Sequence, residues 1–133
     1  MHGKALSVGC KLKRNWLIIL TSVVALYIFL NPLRRSEISI RKYLLNQTPL
    51  GTTFSAVRDY VEAEGWGVTM SSTRSGYIRR DIKPSVVVGS QYLRTSIGEY
   101  QGFPFAVDVT AFWGFNDDGE LVDIWIWKTA NGF

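Results

Sequence analysis

Fifteen consecutive residues, bounded by Trp16 and Leu30, carry no charge, and only Thr21 and Ser22 among them are polar. Such a run has to be removed from water, and the rest of the chain is read around that requirement. As a helix it is about 22 Å long, short of the ~30 Å hydrocarbon layer of a bilayer. Trp16 and Tyr27 suit the headgroup level, and the long basic side chains on both flanks can reach outward from it. Three readings compete: a cleaved signal peptide, a buried core helix and an uncleaved signal anchor. The residues after the run, Asn31, Pro32, Leu33, Arg34 and Arg35, make a poor cleavage site. A core helix fits badly beside six basic residues and no acid. The expectation is therefore a transmembrane signal anchor over residues 16–31, in contact with membrane lipid from Trp16 to Leu30. A basic tail, 1–15, stays in the cytoplasm, and a domain, 32–133, lies outside it: a single-pass membrane protein of the cell envelope.

Charge divides the same way. Residues 1–35 hold Lys4, Lys11, Lys13, Arg14, Arg34 and Arg35 and no acid, whereas the remainder holds nine basic residues and all eleven acids. The net +4 therefore belongs to the leader, and the folded part is slightly acidic. A nucleic-acid reader carries its basic excess on the folded surface, so that class is discarded. The only cysteine, Cys10, and the only histidine, His2, both precede the apolar run. An internal disulfide, a Cys/His zinc site, a Cys–His dyad and a Ser–His–Asp triad are all excluded from the domain. Residues 6–10 superficially resemble a lipoprotein box, but the apolar run follows the cysteine instead of preceding it. Cys10 is read as a free juxtamembrane thiol.

The 98 residues from Ser36 onward suffice for one core. Pro32 ends the apolar helix. Ser36 is a candidate N-cap for a helix over 38–46, with Glu37 suited to the helix dipole and Ile40, Tyr43 and Leu44 at helical spacing. Residues 48–51 break it. Thr53 caps a second helix, in which Phe54, Val57 and Val61 recur on one face and Gly65 closes the end. Strand candidates follow at 67–70, 77–80, 86–88 and 91–97, with a turn or bulge at Gly89 and a loop over 98–104. Residues 106–115 and 121–128 form the clearest hairpin, joined by the turn 116–120. The expected fold after the anchor is α+β: two helices packed on an antiparallel sheet of about four strands.

Candidate chemistry is sparse. Asp117, Asp118 and Glu120 read as a solvated turn, not a calcium loop. Arg74, Arg79, Arg80 and Asp81 read as a loop with weak local salt bridges. The last hairpin is more specific. Alternation places Val107, Val109, Ala111, Trp113 and Phe115 on one face of its first strand, with Asp108, Thr110 and Phe112 on the other. On the second strand Val122, Ile124 and Ile126 oppose Leu121, Asp123, Trp125 and Trp127. Helices cover one face of a two-layer sheet, and the β-branched set Val107, Val109, Val122, Ile124 and Ile126 is assigned to that core. Phe112, Trp125 and Trp127, with Tyr92 beside them, then lie on an uncovered face as a candidate surface for a protein partner or a second copy. The plain alternative is that a loop or residues 129–133 cover them. No catalytic residue, cofactor or metal ligand is assigned, and the expected function is a non-catalytic interaction module. The competing expectation is a carboxylate-based hydrolase or glycan-binding domain acting on the cell wall, with Asp108 and Asp123 side by side on paired strands.

The stretch TPLGTTFSAV at 48–57 resembles the start of the helix in small envelope proteins of the BamE-like (SmpA/OmlA) group, and FNDDGELV at 115–122 resembles their closing hairpin. The β-lactamase-inhibitor proteins are similarly built. The resemblance spans residues 51–128. It implies a helix–helix–sheet layer fold and a role in binding protein partners. Members of the group are typically anchored by an acylated cysteine, whereas this chain has the apolar run in that place.

Overall fold

Contacts in the computed structural model, which describes residues 3–132, divide the chain between Arg34 and Arg35. The first unit holds helix α1 (Gly3–Phe29) and a single 3-10 turn (Pro32–Arg34). The helix extends well beyond the apolar run, but the turns it adds contain Lys4, Lys11, Lys13 and Arg14. Among the described residues, no helix is long and apolar enough to cross a membrane. This corrects the signal-anchor expectation. The uncharged run is about 8 Å shorter than a hydrocarbon layer, and lengthening the helix adds charge instead of apolar surface. The single-pass placement, the outside location of the domain and the lipid contact from Trp16 to Leu30 lose the span on which they rested. His2 lies outside the described residues, as does the side chain of Cys10.

The second unit opens with two capped helices. In α2 (Glu37–Gln47) the Ser36 hydroxyl accepts from the Ser39 amide, and Ile40 and Leu44 point inward. In α3 (Phe54–Ala63) the Thr53 hydroxyl accepts from the Ala56 amide, and Val57 and Val61 are fully buried. Its far end is a Schellman turn: Trp66 N–H donates to Val61 O, Gly65 N–H donates to Glu62 O, and Gly65 takes φ 77°.

Six strands follow: β1 (Val68–Ser72), β2 (Tyr77–Arg79), β3 (Val86–Val88), β4 (Gln91–Gln101), β5 (Ala106–Phe115) and β6 (Leu121–Ala130). Four make an antiparallel sheet in the order β1-β4-β5-β6, while β2 and β3 form a separate two-stranded ribbon. The domain is α+β, as expected. Strand β4 runs on through the predicted loop, because a bulge between Ser96 and Gly98 lets it stay paired with β5 as far as Gln101 opposite Ala106.

The core lies between the helices and one face of the sheet. Leu93, Val109, Ala111, Trp113, Phe115, Ile124 and Ile126 supply the sheet side. Two β-branched residues assigned to it are displaced. A bulge pairs Phe115 with Leu121 but Gly114 with Asp123, leaving Val122 as the extra residue. Leu121 therefore turns into the core and Val122 turns out, 41% exposed. Val107, near the end of the pairing, is half-buried.

Two polar devices fasten the layers. The Trp113 indole N–H donates to the Thr48 hydroxyl at 3.2 Å, which in turn donates to Leu44 O at 2.8 Å. Arg41 of α2 reaches β6, with Nε donating to Ile124 O at 2.8 Å and the guanidinium pairing with Asp123 at 2.6 Å. The segments 48–57 and 115–122 also meet, through Gly51 N–H to Leu121 O, Leu121 N–H to Thr52 O and Phe54 N–H to Gly119 O.

Candidate functional site: an aromatic cleft on the second sheet face

Pleating sends Tyr92 and Arg94 of β4, Thr110 and Phe112 of β5, and Trp125 and Trp127 of β6 to the face away from the helices. The register sets Arg94 opposite Phe112, Phe112 opposite Trp125, and Thr110 opposite Trp127. The Phe112 and Trp125 rings stack at 4.9 Å between centroids, and Trp125 and Trp127 lie nearly parallel at 5.8 Å. All four residues proposed from the sequence thus fall on one face.

That face is not open. The β2–β3 ribbon folds over it, and Tyr77, only 2% exposed, lies 5.5 Å from the Phe112 ring and 6.0 Å from Trp125. Phe112 and Trp125, expected at the surface, are 8% and 7% exposed as a result. Trp127 and Tyr92 remain half-buried at the edge. Among the described residues the cover is the ribbon, not residues 129–132; Phe133, the last residue of that alternative, lies outside them. Gly114 makes the approach possible, since a Cβ there would stand 2.7 Å from a Tyr77 ring carbon. Tyr77 is the residue that sequence reasoning missed. Its strand is legible in the sequence, but three residues carry no signal for which sheet they will cover.

Charge anchors the ribbon. Asp123, half-buried and already paired with Arg41, accepts the Tyr77 hydroxyl at 3.5 Å and faces Arg79 at 3.7 Å. Arg79 donates twice to Asp81, at 2.6 and 3.1 Å. Burial, then the Asp123 charge, pushes the Tyr77 phenol above its ordinary pKa. Hydrogen bonds from Arg79 hold the Asp81 carboxyl below the usual carboxylate range.

The ribbon is itself tightly closed. A Cβ on Gly76 would lie 2.1 Å from Val88 O and 2.2 Å from Gly89 O, both backbone atoms that cannot rotate away. Gly76→Ala is expected to loosen the ribbon while the four-stranded sheet persists, costing about 1–3 kcal/mol. Hydrogen exchange should accelerate across 77–79 and 86–88 and stay slow in β5. Unchanged protection in the ribbon would count against this packing.

Between ribbon and sheet lies a cleft of about 510 Å³, walled by Tyr77, Tyr92, Phe112, Trp125, Trp127 and Met70, with Arg80 and Arg94 alongside. Its size falls within the ~300–1,000 Å³ range of ordinary ligand sites. Two of its lining side chains are apolar and half exposed: Met70 on β1 and Ile78 on the ribbon.

The acids of the hydrolase alternative do not meet. Asp108 pairs with Thr129, and Asp123 lies opposite Gly114. Six residues of strand, about 20 Å, separate them, against ~5–9.5 Å for paired catalytic carboxylates. Asp108 instead accepts hydrogen bonds from the Ser96 and Thr110 hydroxyls. In the turn at 116–120, Asn116 Oδ1 accepts the Asp118 and Glu120 amides. Among the described residues, no three His, Cys, Asp or Glu side chains are grouped to hold a metal.

Comparison of the chain with family models, curated proteins and solved structures gave no match.

Proposed function

We propose that this chain is an interaction module, and that a protein partner docks on the aromatic cleft between the ribbon and the sheet. The observation that carries the reading is the half-buried pair Trp127 and Tyr92, set in a cleft whose rim adds exposed Met70 and Ile78. Aromatic and methionine side chains that stay partly open beside a preformed hollow are the usual anchors of a protein interface. The ribbon leaves this edge of the aromatic stack open while sealing its centre.

The test places a photo-crosslinking amino acid at Ile78 on the rim, or at Arg58 on the exposed face of α3, in the full-length chain in its own cells. The expected result is a discrete adduct from position 78 and none from position 58. Trp127→Ser should reduce the adduct at least about tenfold, because truncating an interface aromatic commonly costs ~2 kcal/mol or more. An adduct at twice the 15.0 kDa chain mass identifies the partner as a second copy. Equal adducts from both positions, or an adduct indifferent to Trp127→Ser, overturn the reading.

A further inference from the structure

The apolar walls explain why something docks in the cleft; its charges bear on what docks. Arg94 lies with its guanidinium carbon 5.5 Å above the Phe112 ring, and its Nε is buried without a hydrogen-bond partner. Its neighbours across the strands are Met70 on one side and Phe112 on the other, so no acid stands opposite it in the sheet. Arg80 lines the same cleft. Among the described residues, neither arginine makes an ion pair, and no Asp or Glu lines the hollow. The nearby acids are otherwise engaged, Asp123 with Arg41 and Asp81 with Arg79. A buried guanidinium donor without an acceptor is costly, and a ligand that supplies the acceptor relieves that cost.

Resting on the interaction reading above, we propose that the cleft selects an acidic peptide segment: a Glu or Asp side chain whose carboxylate is taken by Arg94 and Arg80, next to apolar residues that lie on Trp127 and Tyr92. Two positive charges in an aromatic, acid-free hollow match this combination. A guanidinium presents its N–H groups in a planar fork, which is the geometry that carboxylates accept. A basic or neutral segment of the same shape would bury beside Arg94 without giving it a partner.

The probes are synthetic heptapeptide pools, degenerate at six positions and fixed at the centre as Glu, Gln, Lys or phosphoserine, captured on immobilised full-length protein. The Glu pool is expected to be retained at least about tenfold over the Gln and Lys pools, as a charge-assisted pair allows. Arg94→Gln should remove most of that preference, and Arg80→Gln should reduce it separately. Arg58→Gln, on the exposed face of α3, should leave it intact. Thermal melts of each variant exclude a folding defect. Equal retention of the Glu and Gln pools overturns the acidic preference, and the interaction reading survives if Trp127→Ser still abolishes capture. Stronger retention of the phosphoserine pool overturns the choice of a carboxylate. Failure of every pool overturns the acidic-peptide proposal, and only the additional absence of the Ile78 adduct sinks the interaction reading with it. Displacement of the Glu pool by free acetate at equal molar concentration assigns the site to a small carboxylate and overturns the peptide.

Discussion

Trp113→Ala is expected to remove about 3–5 kcal/mol of stability, a large share of the roughly 5–15 kcal/mol that holds a domain folded. Trp113 is fully buried on the helix side of β5, and its indole N–H is tied through Thr48 to the last turn of α2. The substitution therefore opens the largest cavity available in the core and also cuts the link between helix layer and sheet. Thr48→Val separates the two contributions. It keeps the volume but strands the buried indole N–H, for a cost of about 1–3 kcal/mol. Urea titration followed by far-ultraviolet circular dichroism gives both values. A loss below about 1 kcal/mol for Trp113→Ala would show that this side chain is not at the centre of the core.

Tyr77→Ala should cost about 3 kcal/mol, the low end for a buried aromatic, because the ribbon can settle inward over part of the space. Its larger effect is on the second sheet face. Phe112 and Trp125 lose the ring that covers them, and Trp125 emission should shift to longer wavelength. Tyr77→Phe distinguishes the roles of ring and hydroxyl. The hydroxyl meets Asp123 only at 3.5 Å, so its removal should cost about 1 kcal/mol or less. If Tyr77→Phe proved as damaging as Tyr77→Ala, the anchor would be the polar contact, and the stacking account of the ribbon would be wrong. The comparison is clearest in a chain whose Trp16 and Trp66 are replaced by phenylalanine, with Trp113 kept as a constant buried emitter on the other sheet face.

Most of the domain's elements could be read because their signals are local. Ser36 and Thr53 cap as their side chains require, Gly65 takes the left-handed conformation that ends α3, and the residues around Gly119 turn between β5 and β6. Phe112, Trp125 and Trp127 share a face because alternation is a property of the strand alone. Other features escaped because they depend on pairings distant in sequence. The bulge that exchanges Leu121 for Val122 is set by where β6 meets β5, not by either residue. Tyr77 finds its place over Gly114, thirty-seven positions away, and only because that position lacks a side chain. The anchor failed for a different reason. An apolar run with interfacial aromatics and basic flanks reads as a span, whereas α1 stops at Phe29 and carries four basic residues in its first half.

Arg41 has a consequence beyond joining α2 to β6. A terminal strand normally presents a ladder of unsatisfied carbonyls and amides to any neighbour, and ten residues of one would invite stacking into fibrils. Here a guanidinium sits across the carbonyl of Ile124 and holds a fixed positive charge in the middle of that ladder. Two molecules meeting along this border would each have to displace a cation before their strands could zip, so pairing at this edge is opposed where a bare border would invite it.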